Sequence, residues 1–150
     1  MDLTPQELSK GILVVCDGGA YNNQSPDRIG YGSFRVFRDG NLEVSTYQDD
    51  KTHTHYFEYG VGVTNNVAEC MTMEHALNYI AELVERGYKG KVRLGCDSQT
   101  ALLGATTHVK KPAMHLRELY VRLHNQAVKL KDHVQFVKLD ELDVKRVLGH

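Results

Sequence analysis

Three acidic residues stand where chemistry is commonly assembled. Asp17 closes the apolar run GILVVCD, Glu69 falls in the first turn of a predicted helix, and Asp97 closes a second short apolar run. In open α/β sheets, ligands gather at strand ends. If the first and fourth strands are neighbours, Asp17 and Asp97 come side by side, and crowded carboxylates are costly unless cations neutralise them. Oxygen-only donors of this kind suit Mg²⁺ or Mn²⁺, and no soft or nitrogen-rich ligand set is visible. Two such ions can activate water and support the departing oxygen of a phosphodiester. The plainer alternatives are a strand-end acid for Asp17 and compensation of helix N-terminal charge for Glu69.

The elements that must position these acids follow from patterning. Gly11–Asp17 reads as a buried strand, with Gly18, Gly19 and the polar stretch Tyr21–Arg28 as turn and loop. Tyr31–Arg38 alternates as a second strand, and Asp39–Gly40 signals a hairpin to Leu42–Tyr47. A further alternating segment, Thr54–Val63, leads to Thr64–Asn65–Asn66. Asn66 can cap a helix over about Val67–Arg86, stopped by Gly87, with Val67, Met71, Leu77, Ile80, Ala81 and Val84 on its apolar stripe. Lys91–Cys96 reads as a strand and Ser98–Ala105 as a short helix that Ser98 caps. Pro112 opens a longer helix with Leu116, Leu119, Leu123, Ala127 and Leu130 inward, before strand Val134–Leu139 and helix Asp140–Leu148. An antiparallel meander followed by βαβ units predicts an α/β fold with one mixed sheet and helices packed on it.

Taken in order, Asp17–Gly18–Gly19–Ala20, Gly30–Tyr31–Gly32, Thr64–Asn65–Asn66–Val67–Ala68–Glu69 and Asp97–Ser98–Gln99 resemble the signature of type I ribonuclease H, from about Ile12 to Leu139. The resemblance implies a ribonuclease H-like fold: a five-stranded mixed sheet, three antiparallel strands and then parallel ones, flanked by helices. It implies endonucleolytic hydrolysis of the RNA strand of an RNA/DNA hybrid, leaving 5′-phosphate and 3′-hydroxyl ends, with two Mg²⁺ ions (Mn²⁺ as substitute). By position, Asp17 is then the carboxylate touching both metals, and Glu69 and Asp97 each serve one. Thr64, Asn65, Asn66 and Gln99 fall at contacts to the hybrid, where amides both donate to and accept from 2′-hydroxyls and base edges. Gly18 and Gly19 allow close backbone approach to the scissile phosphate.

The pattern departs from the family at two places. A fourth carboxylate is expected after the last strand, but the N-x-x-x-D arrangement is missing. Asp140, just past the strand, is the preferred candidate and Asp143 the alternative. A competing alignment equates Val147–Leu148–Gly149–His150 with the family's Gly-His loop and removes the fourth acid. The second departure is the absence of a basic handle: only Thr106–Lys111 joins the short and long helices, which leaves substrate grip to Lys110, Lys111, the asparagine pair and Arg117.

The 150 residues suit one domain, 1–150, with 41% hydrophobic and 25% charged residues, ordinary for a globular protein. A net charge of −1 advertises no global field for nucleic acid, so any phosphate contact must be local. Cys16, Cys70 and Cys96 lack zinc-site spacing and read as buried free thiols. The polar, acidic N-terminus is unlike a signal peptide, and no apolar run reaches the roughly 20 residues of a membrane span. A cytoplasmic monomer is expected. The alternatives are a catalytically weak or silent nucleic-acid-binding domain of the same fold, or another nuclease of the superfamily.

Overall fold

The run ILVVC has no polar face, and the protein buries it on both sides in the middle of a sheet. The computed structural model describes residues 11–42, 54–107 and 112–149. Its strands are β1 (Ile12–Tyr21), β2 (Ile29–Arg38), β3 (Asn41–Leu42), β4 (Thr54–Val61), β5 (Val92–Cys96) and β6 (Val134–Lys138). The helices are α1 (Asn65–Glu85), α2 (Gln99–Thr106), α3 (Arg117–Lys129), preceded by a 3₁₀ turn at Met114–Leu116, and α4 (Glu141–Leu148).

The sheet order is β3-β2-β1-β5-β6, with β4 also on β2. β3 pairs with Phe37 and Arg38, whereas β4 pairs with Ile29 through Arg35. Both therefore lie along the same edge of β2, and the six segments fill five strand positions. β1 is antiparallel to β2 and parallel to β5, and β6 is parallel to β5. This is the mixed sheet that the sequence predicts.

Strand alternation sorts the core into two layers. Ile12, Val14 and Cys16 join Phe34, Val36, Leu94 and Cys96 beneath α1, α2 and α3. Leu13, Val15 and Phe37 face the other way, under Val144 and Leu148 of α4. The three cysteines are free and buried. His55, 2% exposed, stacks on Phe34 with ring centroids 4.3 Å apart, so it is a core residue.

Several boundaries differ from the sequence reading. Gly18 and Gly19 are not a turn: β1 continues through them, paired with Gly32 and Tyr31, and the loop begins after Tyr21. Glycine facing glycine lets the β1–β2 ladder run on where the apolar pattern stops. Helix α1 starts two residues early. Thr64 is its cap, extended at φ −79° and ψ 165°, and its Oγ1 accepts from Val67 N at 3.3 Å, while Asn66 is already helical. The buried stripe of α1 is centred on Ala68, Met73, Ala76, Leu77 and Ile80, with Val67, Met71, Ala81 and Val84 as half-buried flanks, because α3 packs beside the helix as well as the sheet beneath it. Asp39 (φ 52°) and Gly40 (φ 90°) form the expected hairpin turn. Past Leu42, the strand expected to Tyr47 lies outside the described residues. Among those described, no helix is long and apolar enough to cross a membrane.

Candidate active site

The pairing of β1 with β5 brings two of the acids together. Val15 is in register with Gly95, the last parallel pair, and Asp17 and Asp97 each lie two residues further along. Both alternate to the α4 side of the sheet, and their carboxyl groups share a hydrogen bond. Such a bond needs one proton between two acids. Burial, then the Asp17 charge and that hydrogen bond, push Asp97 up to about 6. Lys138 of β6 is in register with Cys96, donates its Nζ to the Asp97 carbonyl, and partly opposes the shift by its charge.

Glu69 is held from two directions. Gly18 lies against the peptide joining Ala68 to Glu69, and a Cβ built there would stand 2.5 Å from the Ala68 carbonyl carbon and 2.6 Å from Glu69 N. Only a hydrogen atom fits, so the first turn of α1 sits directly on β1. From the other side, Ser98 Oγ donates to Glu69 Oε2 while accepting from Ala101 N at 3.0 Å. Burial raises the Glu69 carboxyl above its ordinary range, the Ser98 hydrogen bond lowers it, and Asp17 and Asp97 raise it further. The three acids thus lie within each other's fields. Among the described residues, no three His, Cys, Asp or Glu side chains converge closely enough to hold one ion as they stand.

The remaining predicted positions divide. Gly18 and Gly19 are buried in β1. Asn65 is half-buried in the first turn of α1, and Asn66 beside it is exposed. Asn65 N donates to Asn23 Oδ1 at 3.0 Å, which ties the β1–β2 loop to the helix start. Thr64 is committed to capping. Gln99, the first residue of α2, is exposed next to its cap Ser98. Asp140 is exposed at the α4 N-cap position without a side-chain cap bond, whereas Asp143 is half-buried and ion-paired with Arg146 at 2.6 Å. Residues 141–148 are helical and end at Gly149 (φ 81°), which disfavours the alignment of that stretch with a Gly-His loop. Lys110 and Lys111 lie outside the described residues. Arg117, the first residue of α3, is exposed. Asn23, Lys138 and the second bond of Ser98 were missed by the sequence reading. The pair Asn22–Asn23 was visible as a polar loop, but nothing in it signalled a contact 42 residues away.

A central β1 flanked by β2 and β5, the acids at the β1–β5 fork and α1 seated on Gly18 define a ribonuclease H-like fold. Solved structures share it. The chain superposes on RNase H1 from the halophilic archaeon Halobacterium salinarum with a TM-score of 0.69, at 19% identity over 93% of this chain and 94% of that one. LC11-RNase H1, solved in complex with an RNA/DNA hybrid, gives 0.65 at 18% identity over 90% and 89%. The N-terminal RNase H domain of a Mycobacterium tuberculosis protein gives 0.63 at 17% identity over 93% and 95%. No family model matches the sequence, and no curated protein matches it.

Proposed function

We propose that the protein is an endoribonuclease that hydrolyses the RNA strand of RNA/DNA hybrids with two divalent metal ions, leaving 5′-phosphate and 3′-hydroxyl ends. The observation that carries this reading is the Asp17–Asp97 pair, two carboxyl groups within hydrogen-bond reach of each other at the fork of β1 and β5 with Glu69 in their field. An oxygen-only set with excess negative charge fits Mg²⁺, with Mn²⁺ as substitute. Asp17, Glu69 and Asp97 would hold the ions, joined by Asp140, since the Asp143 carboxylate is engaged by Arg146. When bound, such ions supply water activation and neutralisation of phosphate charge.

The chain's own groups do the rest. Gly18 and Gly19 seat the first turn of α1 and the Tyr31 ring against β1, and so fix the backbone that a phosphate meets beside Asp17. Asn65, Asn66 and Gln99 present their amides from the starts of α1 and α2 to the shallow minor groove of the hybrid. Thr64 supports them through the α1 cap, and Lys110 and Lys111 contact phosphates. The LC11 neighbour, a complex with an RNA/DNA hybrid, supports the substrate class. A hybrid-binding domain without cleavage is the second reading; it is favoured by the acids, which among the described residues do not converge closely enough to hold one ion as they stand.

The deciding assay incubates the protein with labelled RNA/DNA hybrid, double-stranded RNA and double-stranded DNA, each with Mg²⁺, Mn²⁺ or chelator. Cleavage of the hybrid alone, dependent on metal and abolished by Asp17→Asn, supports the proposal. Cutting of duplex DNA, or binding without cutting, refutes it.

A further inference from the structure

The acids share a sheet face with three tyrosines. In the cross-strand register of that face, Asp17 is paired with Ser33 and Ser33 with Tyr56; in the next row, Gly19 is paired with Tyr31, and in the one after that Tyr21 with Ile29. The Tyr21 and Tyr31 rings stack with centroids 4.5 Å apart at 25°. Tyr56 is hydrogen-bonded to Tyr21. Gly19 makes this packing possible: a Cβ there would stand 2.9 Å from the Tyr31 hydroxyl, so the ring lies flat across the bare β1 backbone. Among the described residues, the cluster buried by α4 on this face stops at Val15 and Phe37, and Tyr21 is 56% exposed. An aromatic surface therefore continues the carboxylate site along β1 without a break.

We infer that Tyr21, Tyr31 and Tyr56 form a seat for the ribose–phosphate backbone of the RNA strand beside the scissile phosphate. The inference rests on the hydrolase reading above and deepens it by naming positioning residues. Continuity with Asp17 selects this occupant: a strand whose phosphate reaches the carboxylates can run on along β1 over these rings. The shallow minor groove of a hybrid exposes sugars and 2′-hydroxyls, which a flat aromatic pair with hydroxyl edges can pack against and bond. Burial raises the Tyr31 and Tyr56 hydroxyls above their ordinary range, so both remain protonated donors at neutral pH. Contacts to sugar and phosphate read no base edge, so such a seat tolerates any sequence.

The chain has no tryptophan and eight tyrosines, so its intrinsic emission comes from tyrosine. Binding is read in chelator by fluorescence anisotropy of labelled hybrid, single-stranded RNA and duplex DNA, alongside quenching of tyrosine emission; cleavage is read separately with Mg²⁺. Tyr21→Ala is expected to weaken hybrid binding by roughly 5- to 100-fold and raise KM similarly, with kcat changed less than about threefold. Tyr21→Phe, which keeps the ring, restores most of the affinity while reducing the quenching. If Tyr21→Ala fails to fold by circular dichroism, Tyr56→Phe carries the test, with a KM increase of about two- to fivefold expected from one lost hydroxyl bond. Unchanged KM and affinity in folded variants overturns the inference, as does tyrosine-dependent self-association in place of nucleic-acid binding. Tyr21-dependent hybrid binding without any cleavage sinks the hydrolase reading but leaves the seat standing.

Discussion

Gly18 and Glu69 are 51 positions apart, yet a side chain of one carbon at Gly18 would stand 2.6 Å from the Glu69 amide nitrogen. The strand that carries Asp17 and the helix that carries Glu69 are thus locked in contact by a missing methyl group. The site is a property of backbone packing before it is one of acids. Each experiment below perturbs one such relationship.

Gly18→Ala must push α1 off β1. Overpacking of this sort costs about 1–3 kcal/mol, and the displaced Glu69 should lower kcat by roughly 100-fold. Thermal melting and initial-rate cleavage read the two effects. A variant with wild-type rate would show that Glu69 is not fixed by this contact.

The metal-free protein should lose stability as pH rises from about 4 to above 6. Asp97 is held at about 6 against an ordinary 3.8, so the folded state binds its proton more tightly than the unfolded chain does. That contribution is complete below the unfolded value and disappears as pH passes the folded one. Melting curves in chelator at pH 5 and pH 7.5 test this. Asp97→Asn should raise Tm at pH 7.5 and flatten its pH dependence, and Mg²⁺ should raise wild-type Tm more at pH 7.5 than at pH 5. A wild-type Tm that climbs over the same interval contradicts it.

Ser98 joins two elements through one hydroxyl, capping α2 and gripping Oε2 of Glu69. Ser98→Ala should cost about 1 kcal/mol for the cap. It should also raise the half-saturating Mg²⁺ concentration by roughly tenfold, as loss of an orienting partner does at metal sites. Ser98→Thr should recover both. An unaltered Mg²⁺ titration in Ser98→Ala would reduce the residue to a cap.

Gly32 of β2 and Thr72 of α1 occupy one volume. A Cβ at Gly32 would overlap the Thr72 hydroxyl, which bonds to Ala68 O and Tyr59 Oη, each at 2.8 Å. Gly32→Ala should therefore destabilise by about 2–4 kcal/mol, and adding Thr72→Ala should recover part of it, a coupling visible in a double-mutant cycle. Additive losses in chemical denaturation would disprove the shared volume.

Much of this architecture was legible in the chain. The apolar runs ending in Asp17 and Asp97 named the central strands, and their adjacency, a condition in the sequence reading, is met by the β1–β5 pairing. The inward leucines of α3 and the Ser98 cap also came from spacing alone. What escaped was decided by partners distant in sequence. Nothing in the sequence tells Gly18 and Gly19 from an ordinary turn until Gly32 and Tyr31 appear opposite them. Thr64 and Asn66 are both good caps, and only the backbone angle distinguishes them. Lys138 reads as a solvated strand residue until β6 lies beside β5. The tyrosine row was invisible because its members come from three strands whose register no local pattern records.

β1 leaves β5 after Val15 but stays zipped to β2 as far as Tyr21. The resulting notch is cut by unequal strand lengths, so its shape does not depend on the charges that line it. Amide replacements of Asp17 or Asp97 should therefore keep the cleft open and its aromatic rim in place, yielding an inert receptor able to capture an uncut duplex for structure determination.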